Sequence, residues 1–352
     1  MKYSCPGRIQ KGLTLIELMI AMLLGIFLIG GVIQIFLSSK QTYRMQENLS
    51  RIQESGRFAM HFIEQDVRMS GSIGCNSQSS IINTLTTPVP FLYDFSTAIQ
   101  GFDATSPTIW TPVINADIIS PLGGSDVITI RRSDDQGFTV IAHATPSAGL
   151  TLDATATTAN LKAAGYLNNL GANNCMTVVV SNCATAAVFQ VSAIAGTVLS
   201  HNIGGGCEPK NVTAELGTTT FKGGQVFPIN TISYYVRKRN PLDPGNQPSL
   251  YRRVGANDPQ ELVEGIENMQ ILYGVDTNND NTPDFYEKAD SVLLNWPNVV
   301  SIRISLLVVS LDDNVAAQPI PYVFNNAPPF TPPDRRIRRV FTSIIALRNR
   351  LS

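Results

Sequence analysis

The segment Lys11-Gly-Leu-Thr-Leu-Ile-Glu-Leu-Met-Ile20 opens an apolar run in which Glu17 is the one charged residue between positions 13 and 37. A run of this length is long enough to cross a bilayer as a helix. The residues before it include Lys2, Arg8 and Lys11 and no acid, so the positive-inside rule predicts a cytoplasmic N-terminus. The rest of the chain is therefore expected on the other side of the membrane.

Glu17 is unusual because a carboxylate in a membrane helix costs about 2–3 kcal/mol or more unless it finds a partner. Its shallow position allows a simple solution, in which the side chain extends to the lipid headgroups. A second solution requires proteolysis after Gly12, which would give Leu13 a free, positively charged amino group. The Glu17 of a neighbouring copy would then pair with that amine in the apolar core of a helical assembly.

The Lys-Gly pair, the following Leu-Thr-Leu-Ile-Glu-Leu and the apolar run resemble the class III signal of type IV pilins and type II secretion pseudopilins. The resemblance implies that a prepilin peptidase cuts between Gly12 and Leu13 and that the new N-terminus at Leu13 is methylated. It also implies that Glu17 sets the register of subunits in a filament. The family usually has Phe at the position of Leu13. A conventional secretory signal would need a small-residue cleavage site after the apolar run, and none is evident at residues 37–40.

Composition favours a secreted, β-rich domain over a cytosolic enzyme. Only 15% of the 352 residues are charged, and Thr, Ser, Asn, Gly and Pro are abundant. The formal net charge is −1, and removal of three basic residues with a leader takes it to −4, so the balance indicates neither nucleic-acid nor anionic-membrane binding. The sequence contains no H-E-x-x-H, G-x-S-x-G or phosphate-loop motif, so we expect no enzymatic activity.

The helix is predicted to continue beyond the membrane. Residues 38–70 contain no proline, and apolar or small residues recur there at steps of three and four. This pattern predicts one helix from about residue 13 to residue 70, ended by Gly71 and Gly74, with charged residues such as Asp66 on its other faces. The stripe consists of Met45, Leu49, Ile52, Gly56, Ala59, Ile63 and Val67.

We therefore predict an α+β fold in which a long N-terminal helix packs on a mostly antiparallel β-sheet. The predicted parts are a cleaved leader 1–12, a transmembrane and assembly helix 13–37, its continuation 38–74, and a β-rich head 75–352. Residues 143–175 are expected to be a variable insertion, and residues 261–275 a short helix or turn that runs into a strand. Strands are expected at 126–131, its hairpin partner 138–142, 176–180, 188–192, 231–237, 249–254, a mid-sheet strand within 297–310, and 339–346.

The C-terminal motifs sharpen the resemblance. Leu-Val-Glu-Gly-Ile-Glu-Asn-Met-Gln at 262–270, Tyr-Gly-Val-Asp at 273–276, Trp-Pro-Asn-Val-Val-Ser-Ile-Arg-Ile-Ser-Leu-Leu-Val at 296–308 and the strand within 338–350 resemble the PilW-type minor pilins. Together with the N-terminus, these motifs cover a little under half of the chain. Residues 76–230 match no family pattern.

The resemblance implies a minor pilin that helps to initiate type IV pilus assembly and sits in a tip complex. Its implied partners are other minor pilins, the major pilin, the prepilin peptidase, the inner-membrane assembly platform and inner-membrane lipid. Before assembly the head would face the periplasm, and afterwards it would lie in the pilus at the cell surface. Because Glu17 is present, we expect a position other than the terminal subunit. The alternatives are a J-like minor pseudopilin of a type II secretion system and a pilin-anchored adhesin or DNA-uptake module.

Residues 276–287 follow the ligand spacing of an EF-hand-like calcium loop. Asn281 stands where glycine is usual, which weakens the match because the position needs a left-handed backbone, and Pro283 is unusual at its position. A hydrophilic turn rich in Asx residues is the alternative interpretation of this segment. Calcium is the candidate cofactor that the sequence offers. The candidate ligands are Asp276, Asn278, Asp280, the carbonyl of Thr282, Asp284 and Glu287.

Four cysteines remain once Cys5 leaves with the leader, and disulfides are the default in an oxidising periplasm. The preferred pairing is Cys175–Cys183, which closes a short loop, with Cys75–Cys207 tying the end of the helix to the head. Zinc bound by these thiols with His201 is the alternative.

Basic residues cluster at 237–239, 252–253 and 335–339. Alternate residues of a strand face opposite sides, so each cluster presents only part of its charge to one surface. Solvated sheet edges and loops are therefore expected, and nucleic acid is not an expected partner, although DNA binding is the alternative. His143 and His201 are expected in polar loops.

Overall fold

The computed structural model describes residues 14–74, 80–166, 176–204, 208–239 and 247–350. Its helices are α1, Leu15–Arg68, and α2, Thr158–Ala163. The strands are β1 Ser80–Asn83, β2 Ile99–Ser106, β3 Ile109–Thr111, β4 Val127–Ser133, β5 Phe138–Ala142, β6 Leu150–Leu152, β7 Thr177–Ser181, β8 Thr185–Gln190, β9 Ala193–Ala195, β10 Val198–Ser200, β11 Gln225–Lys238, β12 Pro248–Val254, β13 Gln260–Glu264, β14 Ile266–Val275, β15 Phe285–Glu287, β16 Val299–Val309 and β17 Arg338–Ala346.

Helix α1 is continuous over 54 residues, or roughly 80 Å. It begins at Leu15, where the hydroxyl of Thr14 accepts a hydrogen bond of 3.3 Å from the N–H of Glu17. It contains no proline, and it ends at Arg68, shortly before Gly71 takes a left-handed backbone with φ of 73°. The predicted single helix is confirmed over its described length, whereas residue 13 lies outside the described residues.

The C-terminal half of α1 packs on the sheets through the predicted stripe. Ile52, Ile63 and Val67 are almost completely buried and join one core with strands of both sheets. Burying a side chain of this size contributes about 1.5–3 kcal/mol. Met45, at the N-terminal end of the stripe, is exposed. The stripe therefore holds the head on the second half of the helix only.

A four-stranded antiparallel sheet, in the order β15-β14-β16-β17, supplies one side of this core. Strand β16 lies between β14 and β17, so Ile304 has Ile271 as its neighbour on one side and Ser343 on the other. A nearly unbroken apolar run suits this central place, and the predicted mid-sheet strand is confirmed. Gly56 of α1 lies against the ring of Phe341 in β17, where an added Cβ would be 2.5 Å from a ring carbon.

The fourteen residues of β11 form the spine of a second, mixed network of thirteen strands. The start of β11 pairs with β5 and β7, and the rest lies between β4 and β12. Strands β1 and β8 are parallel, and the other described pairs are antiparallel. The α+β prediction is consistent with this architecture, in which strands dominate.

The expected hairpin of β4 and β5 is wrong, although both strands exist. Strand β4 pairs with β2 and with residues 229–235 of β11, whereas β5 pairs with β6 and with residues 225–226 of β11. Both strands thus use different parts of one long partner. Alternation within a segment predicts a strand, but it does not say whether chain neighbours pair with each other or with a third strand.

The expected helix or turn at the start of 261–275 is also wrong, because the segment forms β13 and β14. Gly265 separates the two strands with a φ of 76°, and an added Cβ there would lie 2.7 Å from the carbonyl oxygen of Val309. Pairing of β14 along β16 outweighs the helix propensity of the Leu, Glu and Met residues in this segment.

The predicted insertion at 143–175 is part of the folded head over its described residues, 143–166. It contains β6 and α2, whose apolar side chains enter a second core with β5, β7, β8 and β10. Leu150, Leu152, Leu161 and Tyr166 are fully buried there. The middle of the chain therefore has its own packed core, and the variability of its sequence stays a prediction.

Candidate assembly interface

The N-terminal half of α1 presents an apolar surface that nothing in the described chain covers. Leu15, Ile26 and Phe27 are more than 70% exposed, and none of the 18 most apolar consecutive residues is buried. Within the described ranges, α1 is the one helix long and apolar enough to cross a membrane. An apolar surface of this extent requires a cover of lipid or of protein.

Glu17 lies on this surface, two residues after α1 begins. Among the residues that the structure describes, no basic group forms an ion pair with its carboxylate. Gly12 and Leu13, the predicted cleavage and methylation site, lie outside the described residues. A carboxylate on an apolar helix surface is stabilised when a cation pairs with it.

A buried network around Asp66 fastens the other half of α1 to the head. Asp66 Oδ2 accepts hydrogen bonds from the Tyr234 hydroxyl at 2.5 Å and from Arg252 Nε at 3.0 Å, and Oδ1 lies 3.3 Å from Arg132 Nη2. The Asp66 side chain is only 7% exposed. Its three partners belong to β12, β11 and β4, which are neighbours in the sheet. One carboxylate therefore ties the end of the helix to three strands.

The sequence predicted Asp66 on a face of α1 other than the buried stripe, and that is wrong, because its side chain is buried. Asp66 follows Ile63 by three residues and Ala59 by seven, which is the spacing of the buried stripe. A buried acid requires a basic or hydrogen-bonding partner. The spacing therefore indicates that Asp66 is buried. It does not indicate which side chains are its partners, because those lie far away in the sequence.

Two family models match the chain. The model for type IV pilus-assembly protein W, PilW, matches residues 233–349, and the model for the prokaryotic N-terminal methylation motif matches residues 7–33. Over these two segments the chain is similar to PilW-type minor pilins. The PilW match covers about a third of the chain and contains the four-stranded sheet on which α1 packs. No curated protein and no solved structure matches the chain.

The predicted calcium loop lies inside the PilW-matched region, between β14 and β15. Asp276 Oδ2 accepts a hydrogen bond of 2.8 Å from the N–H of Asn281, and Oδ1 accepts from the N–H groups of Asn278 and Asn279. Asn281 has a φ of 66°, the left-handed backbone that this position of an EF-hand-like loop needs. The Asx-rich turn therefore exists and has the curvature of the predicted loop.

The remaining candidate ligands are only partly brought together. The amide of Asn278 lies 3.1 Å from Asp280 Oδ2 and 3.4 Å from Asp284 Oδ1, and the N–H of Thr282 donates to Asp280. Glu287 stands in β15 opposite Tyr273 of β14. Within the described ranges, no group of three His, Cys, Asp or Glu side chains is arranged to hold a metal. Calcium binding stays a prediction.

The cysteine pairing of the chain also stays a prediction. Cys183, in the turn between β7 and β8, is disulfide-bonded. Cys75, Cys175 and Cys207 lie outside the described residues.

Several arginines of the three basic clusters form ion pairs with acidic residues. Arg336 is an exception, because its guanidinium donates a hydrogen bond of 2.8 Å to the carbonyl oxygen of Ser310. The expectation of solvated sheet edges and loops holds for Arg239 and is wrong for Arg253 and Arg338, whose side chains are buried beside their acidic partners. The pairs are Arg239–Glu261 at 2.6 Å, Arg252–Asp66 at 3.0 Å, Arg253–Asp117 at 3.4 Å and Arg338–Glu267 at 2.6 Å.

His143 and His201 lie in loops, as expected, but the expected polar surroundings are wrong, because both are buried and their rings are 6.1 Å apart. The N–H of Phe221 donates to His143 Nδ1 at 3.0 Å, and His201 Nε2 lies 2.7 Å from the carbonyl oxygen of Ala148. Burial lowers the pKa of both imidazoles, and His201 lowers that of His143 further. Among the described residues, no cysteine or acid joins them in a metal-binding group.

Proposed function

We propose that this chain is a minor pilin that helps to initiate type IV pilus assembly and enters the pilus as a structural, non-catalytic subunit. The observation that carries the proposal is the division of α1 into two halves. The first half is apolar and exposed and bears a single acid, Glu17, whereas the second half is fastened to the head. The two family matches support a pilin-like role in pilus assembly.

In this proposal the prepilin peptidase cuts between Gly12 and Leu13, and the amine of Leu13 is methylated. The basic residues of the leader keep it in the cytoplasm, so the apolar half of α1 spans the inner membrane and the head faces the periplasm. The assembly platform then moves the subunit into the filament. Loss of the leader is essential because it creates the amine that Glu17 requires.

We place the subunit within the tip complex, beside other minor pilins and above the major pilin. In such a stack the carboxylate of Glu17 pairs with the Leu13 amine of an adjoining subunit, in an apolar environment where the attraction is strong. A terminal subunit has no neighbour above it and no use for the carboxylate. The presence of Glu17 therefore favours a non-terminal position.

The test is Glu17→Gln, which keeps the shape of the side chain and removes its charge. We expect fewer pili and loss of co-purification with the other minor pilins, while the head keeps its melting temperature. Glu47→Gln is the matched control, because Glu47 lies on the same helix in an exposed pair with Arg51 and should be nearly neutral. Normal assembly by Glu17→Gln would refute the role of the carboxylate.

Mass spectrometry of the membrane-extracted protein tests the processing step. The mature chain should begin at methylated Leu13, and a chain that still begins at Met1 in cells with an active peptidase contradicts the proposal. Two alternatives predict different results. A pseudopilin of a type II secretion system would affect secretion and not pili, and a pilin-anchored adhesin or DNA-uptake module would tolerate Glu17→Gln.

A further inference from the structure

Contacts along α1 show which end of the head faces the exposed apolar half of the helix. Ser343, near the end of β17, donates a hydrogen bond of 2.6 Å to Glu64, whereas Asp312, before β17, accepts one of 3.3 Å from Asn48. Residues nearer the start of β17 therefore contact residues nearer the N-terminus of α1. The connection between β16 and β17, residues 310–337 and here called the basal loop, forms the end of the head nearest to the apolar half.

The basal loop also extends along the helix. Its residues 315–321 form an open, largely apolar groove of about 550 Å³ with Ser38, Gln41, Thr42 and Met45 of α1. These helix residues follow directly after the apolar run, so they lie about 1.5–12 Å beyond it along the axis. The headgroup layer on each side of a bilayer is about 5–7 Å thick. The groove and the residues 315–321 that line it therefore begin at the height of lipid headgroups when the apolar half spans the membrane.

The basal loop exposes large apolar side chains. Ile320, which lines the groove beside α1, is 39% exposed, and Phe330 is 56% exposed. The loop is held in shape, since Tyr322 and Phe330 exchange two backbone hydrogen bonds of 3.0 and 2.9 Å. A preformed loop of this kind loses little conformational freedom when its side chains enter a lipid interface.

The charge around the basal loop suits an anionic lipid surface. Lys40 and Arg44 of α1 lie at the same height and are exposed. Positive side chains near a membrane that contains anionic lipid each favour binding by about 1 kcal/mol.

We propose that the basal loop docks on the phospholipid headgroups while the protein is held in the membrane, and that Ile320 and Phe330 enter the interface. This inference rests on the membrane-anchored state proposed above. Docking holds the head at one height and tilt on α1 before assembly. Extraction of the subunit into a filament then has to release the basal loop from lipid.

The experiment uses the full chain, reconstituted alone in nanodiscs of phosphatidylethanolamine and phosphatidylglycerol. A photo-reactive benzoylphenylalanine replaces Ile320, and lipid adducts are counted by mass spectrometry after illumination. Val292 is the control position, because it is 99% exposed and lies shortly before β16, at the other end of that strand and roughly 35 Å from the basal loop. Ile26 is the reference for a residue inside the membrane, and Phe330 is a second test position.

We expect lipid adducts at positions 26, 320 and 330 in several-fold excess over position 292. Adducts at 320 and 330 no more abundant than at 292, with adducts present at 26, overturn docking and leave membrane anchoring intact. A lack of adducts at position 26 overturns the anchoring and the docking together. Cross-links from 320 to a second copy in place of lipid assign the groove to subunit packing and also overturn the inference.

Discussion

The hydroxyl of Tyr234 lies 2.5 Å from Asp66 Oδ2, and this hydrogen bond joins the last turn of α1 to the spine strand β11. Burial, and then the nearby Asp66 carboxylate, raise the pKa of Tyr234, so the phenol stays protonated and donates at neutral pH. Arg252 and Arg132 complete the network on the two neighbouring strands. The junction between the helix and the head is therefore ionic at its centre.

Asp66→Asn should destabilise the head by about 2–3 kcal/mol, because it removes a buried charge that two partly buried guanidinium groups share. Tyr234→Phe should lower the free energy of unfolding by about 1 kcal/mol, which is the typical net contribution of one hydrogen bond. Urea unfolding followed by near-ultraviolet circular dichroism measures both. Glu54→Gln, on an exposed face of the same helix, should leave the midpoint unchanged. Equal midpoints for Asp66→Asn and Glu54→Gln would show that the network does not hold the helix.

Gly56→Ala should destabilise the protein by about 1–3 kcal/mol, since the new Cβ would lie 2.5 Å from the Phe341 ring. Helix propensity alone predicts the opposite sign, a gain of about 1 kcal/mol for Ala over Gly. The same unfolding assay decides between the two effects. Phe341→Leu should rescue Gly56→Ala in the double variant, and a stabilised single variant would mean that the close approach is absent.

The histidine pair should make the head less stable in mild acid. Burial keeps both imidazoles neutral in the folded state, whereas in the unfolded state they take up protons near pH 6.5. The unfolded state then binds more protons, so the free energy of unfolding falls as pH drops below about 6.5. Replacement of both His143 and His201 by Gln should flatten this slope between pH 7 and pH 5. A double variant that keeps the slope of the parent protein would contradict this role of the histidine pair.

Asp126 should have the opposite effect, so that its contribution to the stability of the head rises as pH falls. Burial raises its pKa to about 7, although the N–H groups of Ala104 and Ile271 donate to its carboxylate. The folded state therefore binds a proton that the unfolded state, with an ordinary Asp, releases. Relative to Asp126→Asn, the parent should gain about 1 kcal/mol as pH falls from 8 to 6. A difference between the two proteins that does not vary with pH would contradict a raised pKa.

Calcium, if the loop at 276–287 binds it, should raise the melting temperature of the protein, and EDTA should lower it again. Asp280→Asn is a suitable variant, because its amide oxygen can still accept from the N–H of Thr282 while a ligand charge is lost. The variant should melt like the parent in EDTA and respond less to calcium. A parent whose melting temperature ignores both EDTA and added calcium would leave the loop as a plain Asx turn.

Much of the helix and of the central sheet could be predicted from the sequence. The apolar run, the stripe that includes Ile52 and Ile63, and the unbroken apolar strand β16 are each set by periodicity within one segment. The unusual position of Glu17 could also be recognised from the sequence, because a single charge in an apolar run is evident before the fold is known. The C-terminal motifs likewise pointed to the family that matches residues 233–349.

The tertiary structure decided which distant segments meet. Strands β4 and β5 share β11 and not each other, and Asp66 is buried because Arg132, Tyr234 and Arg252 arrive from three strands far along the chain. His143 is buried because the segment around Phe221 covers it. The sequence by itself determined what each segment can form, since periodicity acts over a few residues. Partners of buried polar groups depend on contacts between residues far apart in the chain, and only the folded chain brings those together.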